Sequence, residues 1–212
     1  MKVRTEARRQ AIIEAADALF QEAGYDGASM NEVAKRWGGS KVTLYGYFPS
    51  KEALFVAVVQ SCATGHLADA TRELSTAPIG RAGLEAALEH FGVRMLGVLA
   101  NDKSALAVYR MVVAEAGRSD VGQLFYDAGP RTSVETLAAL LSGAMDRGDI
   151  RQADPTITAQ QFLSLLTAEV DVRLYQRDPP PLSQQEIRQV VQRATDMFFA
   201  GATPRPAADA CP

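Results

Sequence analysis

The sequence predicts an all-α fold in which an N-terminal unit of three helices precedes a larger helical domain. Apolar residues recur at helical spacing through most of the 212 residues, and no segment shows the period-two alternation that marks a strand. Glycine, proline and an Asn-Asp pair divide the chain into segments of helical length. The length suits one large or two small domains, and two unequal parts fit these breaks best.

The first predicted helix ends at Gly24, a residue suited to a left-handed cap. The helical spacing of its apolar side chains lets it brace the two helices that follow. These side chains are Ile12, Ala15, Ala16, Leu19, Phe20 and Ala23.

Residues 29–48 predict two short capped helices joined by a glycine turn. Ser29 is placed as an N-cap, and Glu32 three residues later completes a capping box. The pair Gly38–Gly39 ends this helix, and Ser40 caps the next one. Two short helices around a tight turn form a helix-turn-helix, whose second helix reads the major groove of DNA.

The second of these helices presents a small, polar and aromatic face opposite Leu44. Val42 can touch a thymine methyl group, Lys41 can reach a guanine edge, and Thr43 can hydrogen-bond a base edge or a phosphate. Gly46 lets the backbone come close, while tyrosine hydroxyls and the start of the next helix suit phosphate oxygens. The predicted DNA-binding residues are Ser29, Ser40, Lys41, Val42, Thr43, Tyr45, Gly46, Tyr47 and Lys51. The alternative is an ordinary helical hairpin with its tyrosines packed inside and Lys51 merely solvated.

The overall charge does not favour a nucleic-acid partner, but its distribution does. The net charge is -3 and the sequence pI is about 5.5. Residues 1–51 carry eight Lys and Arg against six acids, a net charge of +2, while the remainder carries 14 against 19, or -5. A mildly basic head on an acidic body can orient toward a phosphate backbone, and basic residues at positions 2, 4, 8 and 9 precede the first helix or lie at its start. An unremarkable surface charge is the alternative.

Composition predicts neither catalysis nor a cofactor. There are two His, and no nucleophile elbow, phosphate loop or paired-carboxylate site, so an enzyme is not expected. Cys62 and Cys211 match no metal or redox spacing, which predicts a reduced cytoplasmic compartment; redox sensing by either is left open. No apolar run approaches the roughly 20 residues that span a bilayer, so no membrane partner is expected.

The N-terminal region resembles the TetR family of transcriptional regulators. This chain departs from the family pattern in the turn, where Trp37 replaces the usual small residue and Gly39 the usual apolar one. It also departs in the next helix, where Val42 replaces the common glycine. The residues that carry the resemblance are Thr43-Leu44-Tyr45, Tyr47-Phe48, Ser50-Lys51-Glu52 with Leu54, Gly24-Tyr25 and Ser29-Met30.

Residues 108–117 and 123–130 are similar to the regulatory domain of AefR-type members of that family. The two resemblances imply a helix-turn-helix DNA-binding domain over 1–50, a ligand-sensing and dimerisation domain over 51–201, and a disordered tail over 202–212. The helix after Ser50 is the expected connector between the domains.

A ligand cavity in such a helical domain is lined by apolar and aromatic groups with a few polar ones, which suits a small hydrophobic or amphipathic effector. His66 and His90 are further candidates near it, and Glu169 has an alternative partner in Arg173, four residues on. Packing in the core is the alternative for the aromatic residues and Met95. The predicted ligand-binding residues are Phe91, Met95, Tyr109, Phe125, Phe162 and Glu169.

The last two long helices, predicted over 155–177 and 184–200, carry apolar stripes. In the TetR family the usual dimer interface is a four-helix bundle of these helices, and a dimer reads two half-sites about 34 Å apart. The alternative is that both stripes face the intrachain core. The stripes are Phe162, Leu165, Leu166, Val170 and Leu174 in one helix, and Ile187, Val190, Val191, Ala194 and Phe198 in the other.

These features together predict a ligand-responsive repressor that binds a palindromic operator as a homodimer. A constitutive DNA-binding regulator without a small-molecule effector is the alternative. The operator sequence, the effector and the choice between repression and activation are left open by the chain alone.

Overall fold

The computed structural model describes residues 5–204, without the side chains of residues 63–66. This part of the chain contains helices and no strand, which confirms the all-α prediction. A π-helical turn, Gln60–Thr64, joins α4 to α5, and a 3₁₀ segment, Asp171–Tyr175, follows α10. The α-helices are α1 Glu6–Gly27, α2 Met30–Trp37, α3 Lys41–Tyr47, α4 Lys51–Val59, α5 Gly65–Leu74, α6 Arg81–Asn101, α7 Lys103–Glu115, α8 Val121–Ala128, α9 Pro130–Asp146, α10 Pro155–Thr167 and α11 Gln184–Ala202.

The first of two compact units combines the chain up to His66 with Asp102–Pro130. Helix α1 packs on α2, α4 and α7, and α4 packs on α8. The Phe55 ring lies 5.0 Å from Tyr25 and 5.7 Å from Phe20, centroid to centroid. The predicted functional boundary near residue 50 stays a prediction, but packing divides the chain differently because α7 and α8 supply core residues here. The core includes Ile12, Ile13, Ala16, Phe20, Leu44, Leu54, Phe55, Val108, Val112 and Val121.

The second unit combines Leu67–Asn101 with the chain from Arg131 onward. Helix α11 packs against α6 and α10. Gly92 of α6 sits where these helices approach each other closely. A Cβ there would lie 2.8 Å from Leu166 Cδ2 and 3.0 Å from Val191 Cγ1, so the packing of α6 requires a glycine.

The apolar stripes of α10 and α11 serve the intrachain core. All five predicted residues of the α11 stripe are buried within a single chain, as are Phe162, Leu166 and Val170 of the other stripe. The prediction that these side chains pair with a second subunit is therefore wrong for them. Leu165 and Leu174 are only half-buried.

The helix predicted over 155–177 ends earlier, at Thr167, and winds into the 3₁₀ segment. Arg173 in that segment is buried, and its guanidinium donates to the carbonyl oxygens of Ala100, at 3.0 Å, and Pro180. Burying a guanidinium requires such acceptors, and the 3₁₀ segment places it where both are within reach. The alternative partner for Glu169, Arg173, is not the one it binds, since its carboxylate accepts from Arg193.

Several sequence predictions fall on residues that the structure does not describe. Lys2, Arg4 and Cys211 lie outside the described residues, as does the predicted disordered tail from residue 205. Ala202, placed in that tail by the sequence, is the last residue of α11 and is buried.

Candidate nucleic-acid interface

Helix α2 begins and ends as predicted. Ser29 Oγ accepts from the Glu32 amide at 3.3 Å, and the Glu32 carboxylate accepts from the Ser29 amide at 3.0 Å. The hydrogen bond from the Ser29 hydroxyl lowers the pKa of Glu32. Gly38 ends the helix with φ 78° and ψ 22°, the left-handed conformation that favours glycine.

Helix α3 is capped by Ser40 and anchored by Leu44. Ser40 Oγ accepts from the Thr43 amide at 3.1 Å, and the two hydroxyl oxygens lie 2.8 Å apart. Leu44 is fully buried in the core of the first unit. One cap and one buried anchor fix which face of this short helix points outward.

The outward face of α3 is the one that the sequence predicts. The exposed fraction is 84% for Val42 and 49% for Tyr45, and Lys41 is exposed as well. Thr43 and Gly46 are half-buried. A valine this exposed contributes little to the stability of the free chain, so its side chain is available for a contact outside the chain. The alternative with buried tyrosines does not describe Tyr45.

The turn between α2 and α3 contains two coupled departures from the TetR pattern. A Cβ on Gly39 would lie 2.1 Å from Cζ3 of the Trp37 ring, which itself packs against the core of the first unit. The bulky ring at one position therefore requires the absence of a side chain at the other. The two departures are therefore sterically compatible with each other.

We expect Gly39→Ala to destabilise the first unit by about 1–3 kcal/mol, because the packed ring must move. In a Trp37→Ala background the same substitution should be nearly neutral, since Gly39 has no positive φ to strain. Urea unfolding of the wild type, the two single variants and the double variant measures this coupling. Additive effects of the two substitutions would show that the ring does not restrict position 39.

Tyr47 lies at the far end of α3, against the start of α1. Its hydroxyl oxygen accepts from the Thr5 amide at 2.9 Å, which leaves the O–H proton available for another acceptor. Arg9 stacks over the Phe48 ring, with its guanidinium carbon 5.4 Å from the ring centroid. Thr5 is the N-cap of α1, a position that its residue type indicates, but its contact with Tyr47 was not predicted.

Lys51 binds backbone carbonyls inside the first unit. Its ammonium donates to the carbonyl oxygens of Tyr25, at 3.0 Å, and Ala28, at 3.3 Å, and lies 4.2 Å from the centroid of the Tyr25 ring. Two of its three donors are therefore used inside the first unit. The structure places this lysine at the junction of α1 and α2, and its role as a phosphate contact stays a prediction.

The six predicted ligand-binding residues are not brought together in one compact unit. Phe91, Met95 and Phe162 are buried in the core of the second unit. Tyr109 and Phe125 belong to the first unit, where their half-buried rings meet edge to face at 5.8 Å. Packing explains all five.

The polar candidates lie on the surface. Glu169 is exposed and forms a bidentate ion pair with Arg193, whose hydrogen bond lowers the pKa of Glu169. His90 is exposed and its Nε2 lies 2.8 Å from the Glu73 carboxylate. Both predictions of a pocket role are corrected, because these side chains are exposed to solvent and already have partners on the surface. The His66 side chain lies outside the described residues.

The chemistry available at other sites is limited. In the described part of the chain no group of three or more His, Cys, Asp or Glu is placed to hold a metal ion. Burial, with the carboxylates of Asp17 and Asp102, raises the pKa of the Cys62 thiol to about 12. A thiol is reactive as its thiolate, so Cys62 is poorly suited to redox sensing.

Among the described residues, no single helix combines the length and apolarity needed to cross a bilayer. One pair of helices joined at a bend, Lys51–Cys62 and Leu67–Leu74, reaches that length and apolarity when the two are taken together.

The three N-terminal helices, with a capped and outward-facing second helix after a glycine turn, define a helix-turn-helix DNA-binding protein. The family model "Bacterial regulatory proteins, tetR family" matches residues 12–58. The model "AefR-like transcriptional repressor, C-terminal domain" matches residues 86–201. The chain belongs to the TetR family of transcriptional regulators.

Individual relatives support the same assignment. The HTH-type transcriptional activator FasR of Mycolicibacterium smegmatis is 40% identical over 88 residues, which span 42% of this chain and 40% of FasR. A TetR-family regulator from Mesorhizobium loti has a TM-score of 0.73 at 28% identity, covering 96% of this chain and all of that one. The "Flavonoid-responsive Regulator FrrA" has a TM-score of 0.69 at 32% identity, and the match covers 95% of this chain and 100% of FrrA.

Proposed function

We propose that this protein is a ligand-responsive repressor that binds a palindromic operator as a homodimer. The observation that carries the DNA-binding part is the outward face of α3. There we expect Val42 to contact a thymine methyl group, Thr43 a base edge or phosphate, and Lys41 a guanine edge. Gly46 allows close approach of the backbone, and the hydroxyls of Tyr45 and Tyr47 donate to phosphate oxygens. Ser29 and Ser40 hold the two helices and offer their termini to the DNA backbone.

Selection of bound fragments from genomic DNA tests this proposal. We expect the protein to enrich a short near-palindrome whose half-sites lie about 34 Å apart, one turn of the double helix. Tyr47→Ala should weaken binding to that site and to unrelated DNA alike, because a phosphate contact carries no sequence information. Enrichment of fragments that share no sequence would refute the proposal.

The proposed dimer uses the outward faces of α10 and α11 in place of their buried stripes. A surface groove of about 500 Å³ runs between these faces, lined in part by Ile157, Leu165 and Met197. Ile157 is 50% exposed and Met197 64% exposed. Ser164 and Gly201 also line the groove, and such small side chains allow a second copy to approach closely. Exposed apolar groups beside a groove fit an interface in which each copy fills the other's groove.

Met197→Glu is expected to weaken dimerisation by about 100-fold, because the dimer would bury an unpaired carboxylate. Sedimentation equilibrium measures the dimer dissociation constant. Ile79→Glu makes the same charge change on another exposed apolar residue of the second unit and should leave dimerisation unchanged. Equal dissociation constants for the two variants would exclude this face.

The effector is proposed from the family relationship. FrrA is named a flavonoid-responsive regulator, so a flavonoid is the first compound to test. An inducer must weaken operator binding by the same factor by which operator weakens inducer binding, typically with about 1–3 kcal/mol of coupling. Calorimetric titration of the compound, with and without operator, measures this factor. Equal affinities in the two titrations would reject the scheme.

A constitutive regulator without a small-molecule effector is the second candidate. It is favoured by the burial of Phe91, Met95 and Phe162 in a packed core. Operator binding that no compound alters, together with constant expression of a reporter placed behind the operator, would support this candidate. The same reporter decides between repression and activation.

A further inference from the structure

The junction between α1 and α2 begins with a break at Gly24. This residue has φ 73° and ψ 170°, so the helix is interrupted and restarts at Tyr25. Amides that follow such a break lack helical acceptors, as at any helix start. The chain then runs through Ala28 directly into Ser29, the cap of α2.

Glu115, the last residue of α7, supplies the missing acceptors. Its Oε1 accepts from the Tyr25 amide at 2.9 Å, and its Oε2 accepts from the Asp26 amide at 3.2 Å. The carboxylate therefore caps the restarted turn from a distant part of the sequence. A Cβ on residue 24 would lie 2.2 Å from Glu115 Oε1, so Gly24 is needed for this contact as well as for its positive φ.

Helix α4 holds the carbonyl side of the same junction. Lys51 donates to the carbonyls of Tyr25 and Ala28, and the Tyr25 hydroxyl donates to Glu52 at 3.4 Å. Two elements thus hold the segment that precedes α2: α7 binds the amides of Tyr25 and Asp26, and α4 binds the carbonyls of Tyr25 and Ala28. Since α2 and α3 follow at once, these contacts set the direction in which the helix-turn-helix leaves α1.

The path of the chain makes the α7 contact informative. Helices α7 and α8 pack in the first unit but lie in sequence between α6 and α9 of the second unit. Glu115 also lies within residues 108–117, the segment that resembles AefR-type regulatory domains. A residue from the regulatory segment therefore holds backbone amides immediately before the helix-turn-helix.

We propose that Glu115 is a positioning residue for operator binding, through which α7 controls the orientation of the helix-turn-helix. The proposal rests on the proposed DNA-binding function and adds the residue that connects the regulatory segment to it. A hydrogen bond to a charged group contributes more than a neutral one. Loss of this carboxylate should therefore release Tyr25 and Asp26 and let α2 and α3 depart from the geometry that fits the operator.

The test compares Glu115→Gln and Glu115→Ala with Glu14→Gln and Glu14→Ala. Glu14 is an exposed glutamate of α1, so its variants change the charge of the same unit equally. The readouts are affinity for the selected operator, affinity for a scrambled duplex of the same length at the same salt concentration, and hydrogen exchange at the amides of residues 25 and 26. All are measured well below the melting temperature.

We expect Glu115→Ala to lower operator affinity about tenfold relative to Glu14→Ala, with equal affinity for scrambled DNA. Exchange at the two amides should rise by a similar factor, and Glu115→Gln, which keeps one acceptor oxygen, should lie between. An unchanged ratio of operator to scrambled affinity in both Glu115 variants would overturn the inference, even if the melting temperature falls. A wild-type chain without any sequence preference would refute the proposed function itself, and this inference with it.

Discussion

Val42→Glu is expected to weaken operator binding by roughly 100-fold and to leave the melting temperature unchanged. A carboxylate on the outward face of α3 would meet phosphate charge and replace an apolar contact with a base, an effect of about 3 kcal/mol. The substitution should be silent in the free protein because the side chain is 84% exposed. Fluorescence anisotropy with labelled operator measures the affinity, and calorimetry measures the melting temperature.

Val113→Glu is the matched control. This valine belongs to the same unit, is 61% exposed and lies on α7, so the charge change is identical but on another helix. Its affinity for operator should fall by no more than the few-fold effect of the added charge. Equal losses in the two variants would show that α3 has no special part in binding.

Phe55→Ala is expected to have the largest effect on stability, lowering the free energy of unfolding by about 3–5 kcal/mol. Phe55 is fully buried and its ring packs edge to face against Phe20 and Tyr25. Removing the ring leaves a cavity and loosens Tyr25. The amide and carbonyl of Tyr25 bind Glu115 and Lys51 at the junction before α2. Because natural domains are stable by only about 5–15 kcal/mol, the variant should be largely unfolded in moderate urea.

Two controls separate this cavity effect from loss of an aromatic ring. Phe55→Leu retains most of the volume and should lower stability by less than about 1.5 kcal/mol. Tyr175→Ala removes a ring that is 88% exposed and should leave stability within about 0.5 kcal/mol of wild type. Urea unfolding followed by circular dichroism measures all three. A small loss for Phe55→Ala would contradict the packing of this core.

The helix-turn-helix could be predicted because local chemistry determines it. Ser29 and Ser40 cap the helices that follow them, and Gly38 adopts the left-handed conformation that its lack of a side chain permits. These effects act within four residues, so their spacing in the sequence is sufficient. The exposure of Val42 followed from the same spacing, once Leu44 was taken as the buried anchor.

Contacts between distant residues could not be predicted in the same way. Lys51 had the charge of a phosphate ligand, but carbonyls 23 and 26 residues earlier in the chain bind its ammonium. Glu115 contacts amides 89 and 90 residues away. No local pattern encodes the packing of α7 and α8 on the N-terminal helices, so the extent of the first unit was also missed.

Apolar stripes were ambiguous for a physical reason. A helix buried in its own chain and a helix buried in a dimer show the same periodicity, because both remove one face from water. Val191 and Phe198 belong to the first case, whereas the exposed Met197 on the same helix carries the proposed interface. Phe91 and Met95 were ambiguous likewise, since a core and a ligand cavity draw on the same residue types.

Photo-crosslinking from α3 tests the central claim most directly. A benzophenone amino acid in place of Tyr45, which is 49% exposed, is compared with the same replacement of the exposed Tyr175 in the second unit. We predict that position 45 forms crosslinks within each operator half-site, and that position 175 forms none. Absence of crosslinks from position 45 in a complex that still binds the operator, or equal crosslinking from both positions, would contradict the account.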